Sequence, residues 1–362
     1  MKIAYFVSNR AIFPNAPKQI TASNYVVEGI IEHLKTKHEI TLYAPEGSHC
    51  EGITIKTLGL APFTADSSVE NTDWKTKAAL GMKQLYLGEL FKDASRYDLL
   101  HIHTEPVYLA WPYVNLIKTP VLFTYHNQFH SDETTIFTHY DSRVALNAIS
   151  HSQAKSIPMK QSIPVIHNGT SLEGSDFMPD DKGYFLFFSR LVKEKGIDVF
   201  MELAKKLPHE KFVISGEGSP EMNKHVIDFC ERQPNVTYLS IIPRKSSQWH
   251  EVLGQAKALV MPIQWDEPFG LMFIEAMGHG TPVITTNRGS ASEIVTSNKN
   301  GYLVNPEDSL QGFVKAISSI QSLSSQKYLG MRTNARTTVE TSFTTSRMAA
   351  DYEKLYQQIA HS

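Results

Sequence analysis

Residues 266–285 read DEPFGLMFIEAMGHGTPVIT, and the prediction of the fold starts from this stretch. Two glutamates, Glu267 and Glu275, are separated by seven residues, and the apolar run ALVMP at 258–262 precedes the first of them. The run predicts a buried strand. Pro268 suits the first position of a following helix, where the missing N–H of proline costs nothing. We therefore predict a strand, a turn that carries one acid, and a helix that carries the second.

The two glutamates are predicted to contact different parts of one ligand. Glu267 in the turn would lie over the reacting end, whereas Glu275, about one to two turns into the helix, would reach a more distant polyol such as a ribose. Phe269, Gly270 and Leu271 would offer backbone N–H groups at the helix N-terminus. The alternative is an acid that favours the helix dipole together with a surface glutamate. The combination of Glu, Pro, Gly and a second Glu makes this alternative the less favoured one.

Short apolar runs recur along the whole chain and are separated by amphipathic segments. Such alternation predicts parallel sheets covered by helices on both faces, in two successive sets. The first set of predicted strands comprises 3–7, 39–44, 98–103, 120–125, 145–150 and 163–167, and the second comprises 184–189, 211–216, 236–240, 258–262, 282–285 and 301–304. Ligands of such sheets bind beyond the carboxyl ends of the strands, so we expect the functional residues in the loops that follow strands.

The length of 362 residues exceeds what one hydrophobic core usually fills, so two domains are expected. The segment 171–183 is rich in Gly, Pro, Ser and Asp and lacks periodicity, which is typical of a linker. We predict an N-terminal Rossmann-like domain at 1–167 and a second Rossmann-like domain at 168–343. A last helix is predicted within 344–362.

Composition excludes several classes of protein. A formal net charge of −2 gives no general attraction to nucleic acid. The cysteines, Cys50 and Cys230, lie far apart and match neither a metal-binding spacing nor a disulfide framework. The sequence contains no apolar run of roughly 18 residues that could span a membrane. The N-terminal MKIAYFVSN is not typical of a signal peptide, so we expect a cytoplasmic protein.

Two loops after strands of the second set suit a diphosphate. In SRLVKEKGIDVF, Arg190 and Lys195 stand beside a predicted helix N-terminus, where cations and free N–H groups favour an anion. In VISGEGSP, Gly216 and Gly218 would let a ligand approach the backbone. From composition alone, a solvated run of charges and a plain tight turn are equally good interpretations.

Histidines follow two strands of the first set. HIHTEP places His103, and TYHNQFH places His126, just past their strands. A metal site built with His101 and His130 is the alternative. We discount it because the ends of parallel strands rarely aim such spacings at one point.

In combination, these motifs resemble those of the retaining family-4 glycosyltransferases. The stretch at 266–285 resembles that family's E-x7-E motif, and SRLVKEKG resembles its diphosphate-binding segment. VIHNGT, with Asn168, resembles its Asn-Gly turn at the crossing between domains, while HIH and TYHNQ occupy the places of its histidine motifs. The resemblance covers nearly the whole chain. It implies the GT-B fold, an α/β architecture in which two Rossmann-like doubly wound domains face a central cleft, with the last helix packed on the N-terminal domain.

The resemblance also implies an activity, namely transfer of a sugar with retention from a nucleoside-diphosphate sugar to a hydroxyl of an acceptor. The donor would bind the second domain and the acceptor would approach from the first, with no metal and no cofactor. The implied roles are diphosphate binding for Arg190, Lys195 and Gly216, sugar binding for Phe269, Gly270 and Leu271, ribose binding for Glu275, catalysis for Glu267 and His126, and acceptor or sugar contacts for His103 and Asn168.

Two loops depart from the family pattern. The family often has paired glycines after the first strand, and residues 9–24 lack them. In RGSASEIV, Gly289 and Ser290 replace a second glycine pair.

Alternative functions on this fold are a sugar-nucleotide epimerase, a phosphorylase and a non-catalytic protein that binds nucleotide sugars. The presence of Glu267 favours an enzyme, and we find no cofactor lysine for a phosphorylase. The acceptor, whether glycan, lipid or small molecule, is left open. Lys75, Lys77 and Lys83 near Trp74 suggest a weak contact with a membrane surface, although an ordinary surface helix is the favoured interpretation.

Overall fold

The computed structural model describes residues 1–17, 19, 21–63, 72–141 and 143–360, without the side chains of residues 72–75 and 309. Contacts between residues divide the chain into two units. The N-terminal unit comprises Met1–Asn168 and Thr345–Ser362, and the C-terminal unit comprises Gly169–Thr344.

Each unit contains a six-stranded sheet in the described part of the chain, and every strand pair is parallel. The order is β3-β2-β1-β4-β5-β6 in the N-terminal unit and β12-β11-β10-β7-β8-β9 in the C-terminal unit. The strands are β1 (Lys2–Phe6), β2 (Glu39–Tyr43), β3 (Thr54–Lys56), β4 (Leu99–Ile102), β5 (Val121–Tyr125), β6 (Ala145–Ala148), β7 (Tyr184–Phe188), β8 (Lys211–Ser215), β9 (Val236–Leu239), β10 (Ala256–Met261), β11 (Val283–Thr286) and β12 (Gly301–Val304). The predicted class of two parallel α/β sheets is confirmed.

Helices connect and cover these strands. They are α1 (Ala22–Leu34), α2 (Thr72–Lys92), α3 (Trp111–Val114), α4 (Thr134–His139), α5 (His151–Ser156), α6 (Ile197–Lys206), α7 (Pro220–Arg232), α8 (Ser247–Gly254), α9 (Leu271–Gly278), α10 (Ala291–Ile294), α11 (Ser309–Gln321), α12 (Ser325–Ser342) and α13 (Thr345–Ala360). Short 3-10 turns occur at Ala94–Arg96, Val107–Ala110, Ser131–Glu133, Lys193–Lys195 and Pro306–Asp308.

The last helix, α13, belongs to the N-terminal unit. Met348, Tyr352 and Tyr356 repeat at a spacing of four residues, which places them on one face of the helix. All three are buried in the core beside Ile30 of α1. At Gly29 of α1, an added Cβ atom would come within 2.7 Å of the Thr345 side chain, so the two helices pack closely.

Two predicted features of the N-terminal sheet differ from the structure. Residues 163–167 form no strand, and Val165 makes one isolated bridge to Ala148. Pro164 lacks the N–H that a continuous ladder would use, which accounts for the difference. The short edge strand β3, Thr54–Lys56, was not predicted because its residues are largely polar.

Helix α2 carries the lysines for which a membrane contact was considered. Trp74 and Lys75 lie outside the described side chains. Lys83 is 3% exposed, so it adds no charge to a surface. Within the described ranges, no helix combines the length and the apolar character needed to cross a membrane.

Candidate active site

The predicted donor residues lie in loops at the carboxyl ends of adjacent strands of the C-terminal sheet. Lys195 follows β7, Gly216 follows β8, and Glu267 follows β10. Strands β10 and β7 are neighbours although they are distant in sequence, so the order of the sheet reverses between them. Such a reversal opens a crevice between the two loops, which is where ligands of open α/β sheets bind.

Lys195 and Glu267 form a buried ion pair at this edge. The ammonium of Lys195 donates a hydrogen bond to Oε2 of Glu267, and the two residues are 5% and 6% exposed. The indole N–H of Trp265 donates to the same oxygen at 2.9 Å, and the Lys195 ammonium lies 5.0 Å from the Trp265 ring centroid. Charge pairing and two hydrogen bonds therefore hold the Glu267 carboxylate in one orientation.

The second carboxylate oxygen of Glu267 is left for other contacts. Both donors bind Oε2, and within the described residues Oε1 has no hydrogen-bond partner. Neither the direct contact between Lys195 and Glu267 nor the contact of Trp265 with Glu267 was predicted from the sequence. In the sequence, the feature that comes nearest to indicating the contact of Trp265 with Glu267 is that Trp265 lies two residues before Glu267.

The loop that carries Glu267 is braced by Gly289 and Ser290. The φ of Gly289 is +57°, and a Cβ atom there would lie 2.3 Å from the carbonyl oxygen of Glu267. The N–H of Ser290 donates to that carbonyl at 2.9 Å, and the Ser290 hydroxyl donates to the carbonyl of Phe269 at 2.7 Å. The departure from paired glycines thus supplies a hydroxyl that fixes the Phe269 carbonyl, while the backbone N–H of Ser290 holds the Glu267 carbonyl on the other side of Pro268.

Helix α9 begins at Leu271, and Gly270 caps it in the left-handed conformation with φ 87°. Pro268 therefore lies in the preceding loop, and its predicted place at the first helical position is wrong. Phe269 is 2% exposed and its ring contacts Phe343 edge-on at 5.9 Å. The first turn of α9 leaves backbone N–H groups without helical partners, as every helix does.

Glu275 lies in the fifth position of α9 and is buried rather than on the surface, at 8% exposure. Arg244 donates from Nε to Oε1 of Glu275 at 2.8 Å and from Nη2 to the Thr170 hydroxyl at 3.4 Å. Burial raises the pKa of Glu275, and the Arg244 guanidinium opposes that rise. Arg244 was not predicted from the sequence, where its one indication is a cation in the loop that follows β9.

Arg190 and Gly216, the other two residues predicted to bind the diphosphate, differ from Lys195 in their surroundings. Arg190 is exposed, and its side chain makes no hydrogen bond or ion pair within the described ranges. A Cβ atom at Gly216, whose φ is +147°, would lie 1.8 Å from the carbonyl oxygen of Ser189. The glycine is therefore required by the close approach of the loops after β7 and β8, whether or not a ligand binds there.

A separate cavity of about 440 Å³ lies in the N-terminal unit at the ends of β4 and β5. Its lining includes Arg10, Lys83, Glu105 and His126. Burial raises the pKa of Glu105 to about 8 and lowers the pKa of Lys83 to about 8. Oε1 of Glu105 accepts a hydrogen bond from the backbone N–H of His126 at 2.8 Å, which fixes the position of that histidine.

His126 is the outermost of three histidines in a line. Nε2 of His126 lies 2.8 Å from Nδ1 of His103, and Nε2 of His103 lies 3.2 Å from Nδ1 of His101. The rings of His101 and His103 contact each other, as do those of His103 and His126. His130 is not part of this line, and its backbone N–H donates a hydrogen bond to Glu133. His103 is 1% exposed and both its ring nitrogens face other histidines, so neither is directed at a ligand.

Asn168 ends the N-terminal unit as divided by contacts. It is 2% exposed, and its carbonyl accepts a hydrogen bond from Arg347 at 3.3 Å. Its side-chain Oδ1 is buried without a hydrogen-bond partner among the described residues.

The sequence of this chain is similar to those of known proteins, and these similarities indicate the class of function. Residues 173–338, nearly all of the C-terminal unit, match the model of the family described as glycosyl transferases group 1. YtcC of Bacillus subtilis, whose name assigns it provisionally to the glycosyltransferases, is 24% identical over 306 residues, covering 74% of each chain. These findings support a glycosyltransferase.

Solved structures establish the type of fold. Sucrose-phosphate synthase from Thermosynechococcus elongatus matches with a TM-score of 0.81 at 19% identity over 100% of both chains. HepE of Anabaena, solved in complex with UDP-glucose, matches with a TM-score of 0.75 at 16% identity over 99% of this chain and 100% of that one. The predicted GT-B fold with two Rossmann-like domains is confirmed.

Proposed function

We propose that this protein transfers a sugar with retention from a nucleoside-diphosphate sugar to an acceptor hydroxyl, as a family-4 enzyme. The carboxylate of Glu267, with one oxygen held and the other left for a ligand, is the feature on which the proposal rests. Lys195 and Trp265 hold its Oε2, while Oε1 is left for a ligand next to the N-terminus of α9. The structure of the similar HepE with UDP-glucose supports a donor of that class.

The donor diphosphate would bind at the ends of β7 and β8. Negative charge grows on the diphosphate as the nucleotide leaves, and Lys195, Arg190 and helix N-termini would stabilise it. Lys195 keeps ammonium protons for a phosphate after its bond to Glu267, since an ammonium has three donors. Gly216 would bring backbone close to the phosphates.

The sugar and ribose would bind along the start of α9. Positive charge develops on the sugar in the transition state, and the Glu267 carboxylate would favour it while accepting from sugar hydroxyls. Backbone N–H groups of the segment Phe269, Gly270 and Leu271 would fix the sugar. Glu275, oriented by Arg244, would accept from the ribose hydroxyls.

The N-terminal unit would supply the acceptor side. His126 lines the cavity of that unit and would contact a hydroxyl of the acceptor or the donor sugar. His103 would act through His126, since its own ring nitrogens are engaged. Asn168 would contact the acceptor or the sugar, and among the described residues its buried Oδ1 has no hydrogen-bond partner.

A panel of UDP-, GDP- and ADP-glucose tests the function without a known acceptor. We expect one donor to be hydrolysed slowly to nucleoside diphosphate and glucose, with the α anomer formed first, as NMR would record. Glu251→Gln, an exposed acid of α8 in the same unit, is the matched control and should leave the rate unchanged. Binding of a nucleotide without hydrolysis of any donor would favour a non-catalytic binding protein. Epimerised sugar would favour an epimerase.

Activity is expected to survive removal of divalent metals. The proposed counter-charges for the leaving diphosphate are protein cations, Lys195 and Arg190, and not a bound ion. The measurement is donor hydrolysis before and after treatment with EDTA and dialysis. Loss of activity that manganese or magnesium restores would contradict the proposed stabilisation of the leaving group.

A further inference from the structure

The cavity of the N-terminal unit is lined by two cations, Arg10 and Lys83. Arg10 follows β1, and Lys83 is a buried residue of α2 whose ammonium donates a hydrogen bond to the carbonyl oxygen of Glu105. The guanidinium of Arg10 has no hydrogen-bond or ion-pair partner among the described residues. An ammonium has three N–H donors and a guanidinium has five, so most N–H groups of these two cations are left for a ligand.

The two cations lie near enough to affect each other. Burial, followed by the charge of Arg10, lowers the pKa of Lys83 to about 8. Because that value lies above neutral pH, the Lys83 ammonium stays mostly charged. Like charges that are close together repel each other, and an anion bound between them turns that repulsion into attraction. The cavity therefore holds two positive charges that an anionic ligand would stabilise.

The acids that line the same cavity compensate these charges only in part. Burial raises the pKa of Glu105 to about 8, so its carboxyl group is mostly neutral at neutral pH. Oε2 of Glu133 accepts hydrogen bonds from the Tyr125 hydroxyl at 2.9 Å and from the backbone N–H of His130 at 3.1 Å. Within the described ranges, Glu133 forms no ion pair with either cation. The lining thus carries more positive than negative charge.

The first turn of α1 adds neutral hydrogen-bond donors to the cavity. Thr21, Ala22 and Ser23 line it, and the first N–H groups of a helix have no partner within that helix. The turn carries no acidic residue, and the side chain of the N-cap residue Thr21 does not cap these N–H groups. Cations beside a helix N-terminus suit a phosphate. A phosphate monoester has three terminal oxygens and a carboxylate has two, so the monoester uses more of these groups.

We propose that this cavity binds the phosphate monoester of a small phosphorylated acceptor, and that Arg10, Lys83 and the first turn of α1 contact the phosphate oxygens. A volume of about 440 Å³ lies within the range of sites for small molecules. His126 lines the same cavity, where it can contact a hydroxyl of that acceptor. The identity of the ligand as the acceptor rests on the proposed function, whereas the phosphate site does not.

Glucose 6-phosphate and inorganic phosphate are the probes for this site, and unphosphorylated glucose is their control. NMR of backbone amides in the whole chain, labelled with 15N, locates where each probe binds. We expect both phosphates to shift the amides of Arg10, Ala22 and Ser23 to saturation, and glucose to leave them unchanged at the same concentrations. Shifts confined to the C-terminal unit, or equal binding of glucose, would overturn the proposal. Glucuronate should bind more weakly than glucose 6-phosphate, and tighter binding would overturn the choice of phosphate.

Substitution of each cation tests its contact with the phosphate. Arg10→Gln removes an exposed charge and should weaken binding of glucose 6-phosphate about tenfold, the usual effect of one hydrogen bond to a charged group. Arg143→Gln is the matched control, because Arg143 is exposed before β6, at the opposite edge of the same parallel sheet. Lys83→Met should weaken binding at least as much. If Lys83→Met does not fold, Arg10→Gln still decides, and an unchanged affinity or an equal loss in Arg143→Gln would overturn the site.

The diphosphate of the sugar donor is the other source of a phosphate, and competition separates the two sources. UDP, GDP and ADP are each titrated alone and then against glucose 6-phosphate. The nucleotide that binds is expected to shift amides of the C-terminal unit and to leave the affinity for glucose 6-phosphate unchanged. Displacement of glucose 6-phosphate by a nucleotide would assign the site to the sugar donor and overturn the acceptor role. Absence of turnover of any nucleotide sugar, with phosphate bound as expected, would contradict the proposed function and leave the phosphate site valid.

Discussion

Replacement of Glu267 by glutamine is expected to lower turnover about 10²–10³-fold, with little change in nucleotide affinity. The amide keeps the shape and an oxygen for Lys195 and Trp265, but it removes the charge that would favour the developing positive sugar. It also places an NH₂ group where Oε1 would accept from a hydroxyl. A loss of charge stabilisation that matters only in the transition state lowers kcat and leaves ground-state binding nearly intact.

Glu275→Gln provides the contrast. Its contact with the ribose would exist before the transition state as well as in it, so this variant should weaken binding of donor and free nucleotide alike. Steady-state donor hydrolysis and calorimetric titration with UDP, GDP and ADP on both variants measure the difference, with Glu251→Gln as the control. If both variants lost only binding, or both only turnover, the assignment of separate roles would be wrong.

The architecture was predictable because its signals are local. The predicted strand at 120–125 is observed as Val121–Tyr125, and the one at 301–304 as Gly301–Val304. Continuous apolar runs report burial on both faces, so they identify parallel strands well. The strand prediction was wrong at two places. At Pro164 the missing backbone N–H interrupts the predicted strand, and Thr54–Lys56 is a short, largely polar strand at the edge of the sheet.

The partners within the candidate site were less predictable, since they come from loops far apart in sequence. Lys195 and Glu267 are 72 residues apart, and they meet because β7 and β10 are neighbours in the sheet. Sequence placed both residues after strands but could not give the order of those strands. Arg244 reaches Glu275 from the loop after β9, which no local pattern indicates.

The histidine network shows the same limit. HIH and TYHNQ were recognised as clusters past strand ends, and metal binding was the alternative considered. Their actual partners include Tyr356, which lies 255 residues from His101 and arrives on the last helix. Periodicity predicted that this helix has an apolar face. It could not predict that the Tyr356 hydroxyl on that face would bond to His101.

The ion pair of Lys195 and Glu267 also affects the stability of the folded protein. Two charges with 6% and 8% of their side-chain surfaces exposed have lost most of their hydration, and their mutual attraction offsets that loss. Removal of one partner leaves the other charge buried and unpaired. Removal of both charges leaves no such penalty, so stability should not fall in proportion to the number of substitutions.

Lys195→Met is expected to lower the free energy of unfolding by about 3–5 kcal/mol, because the Glu267 carboxylate would remain buried without its counter-charge. Adding Glu267→Gln should recover part of that loss, so the double variant should be more stable than Lys195→Met alone. Urea unfolding of the whole chain with each single variant and the double variant measures the coupling. Lys224→Met breaks the exposed pair with Asp228 on α7 in the same unit and should have no measurable effect. Simple addition of the two single losses in the double variant would show that the two charges do not depend on each other in the folded protein.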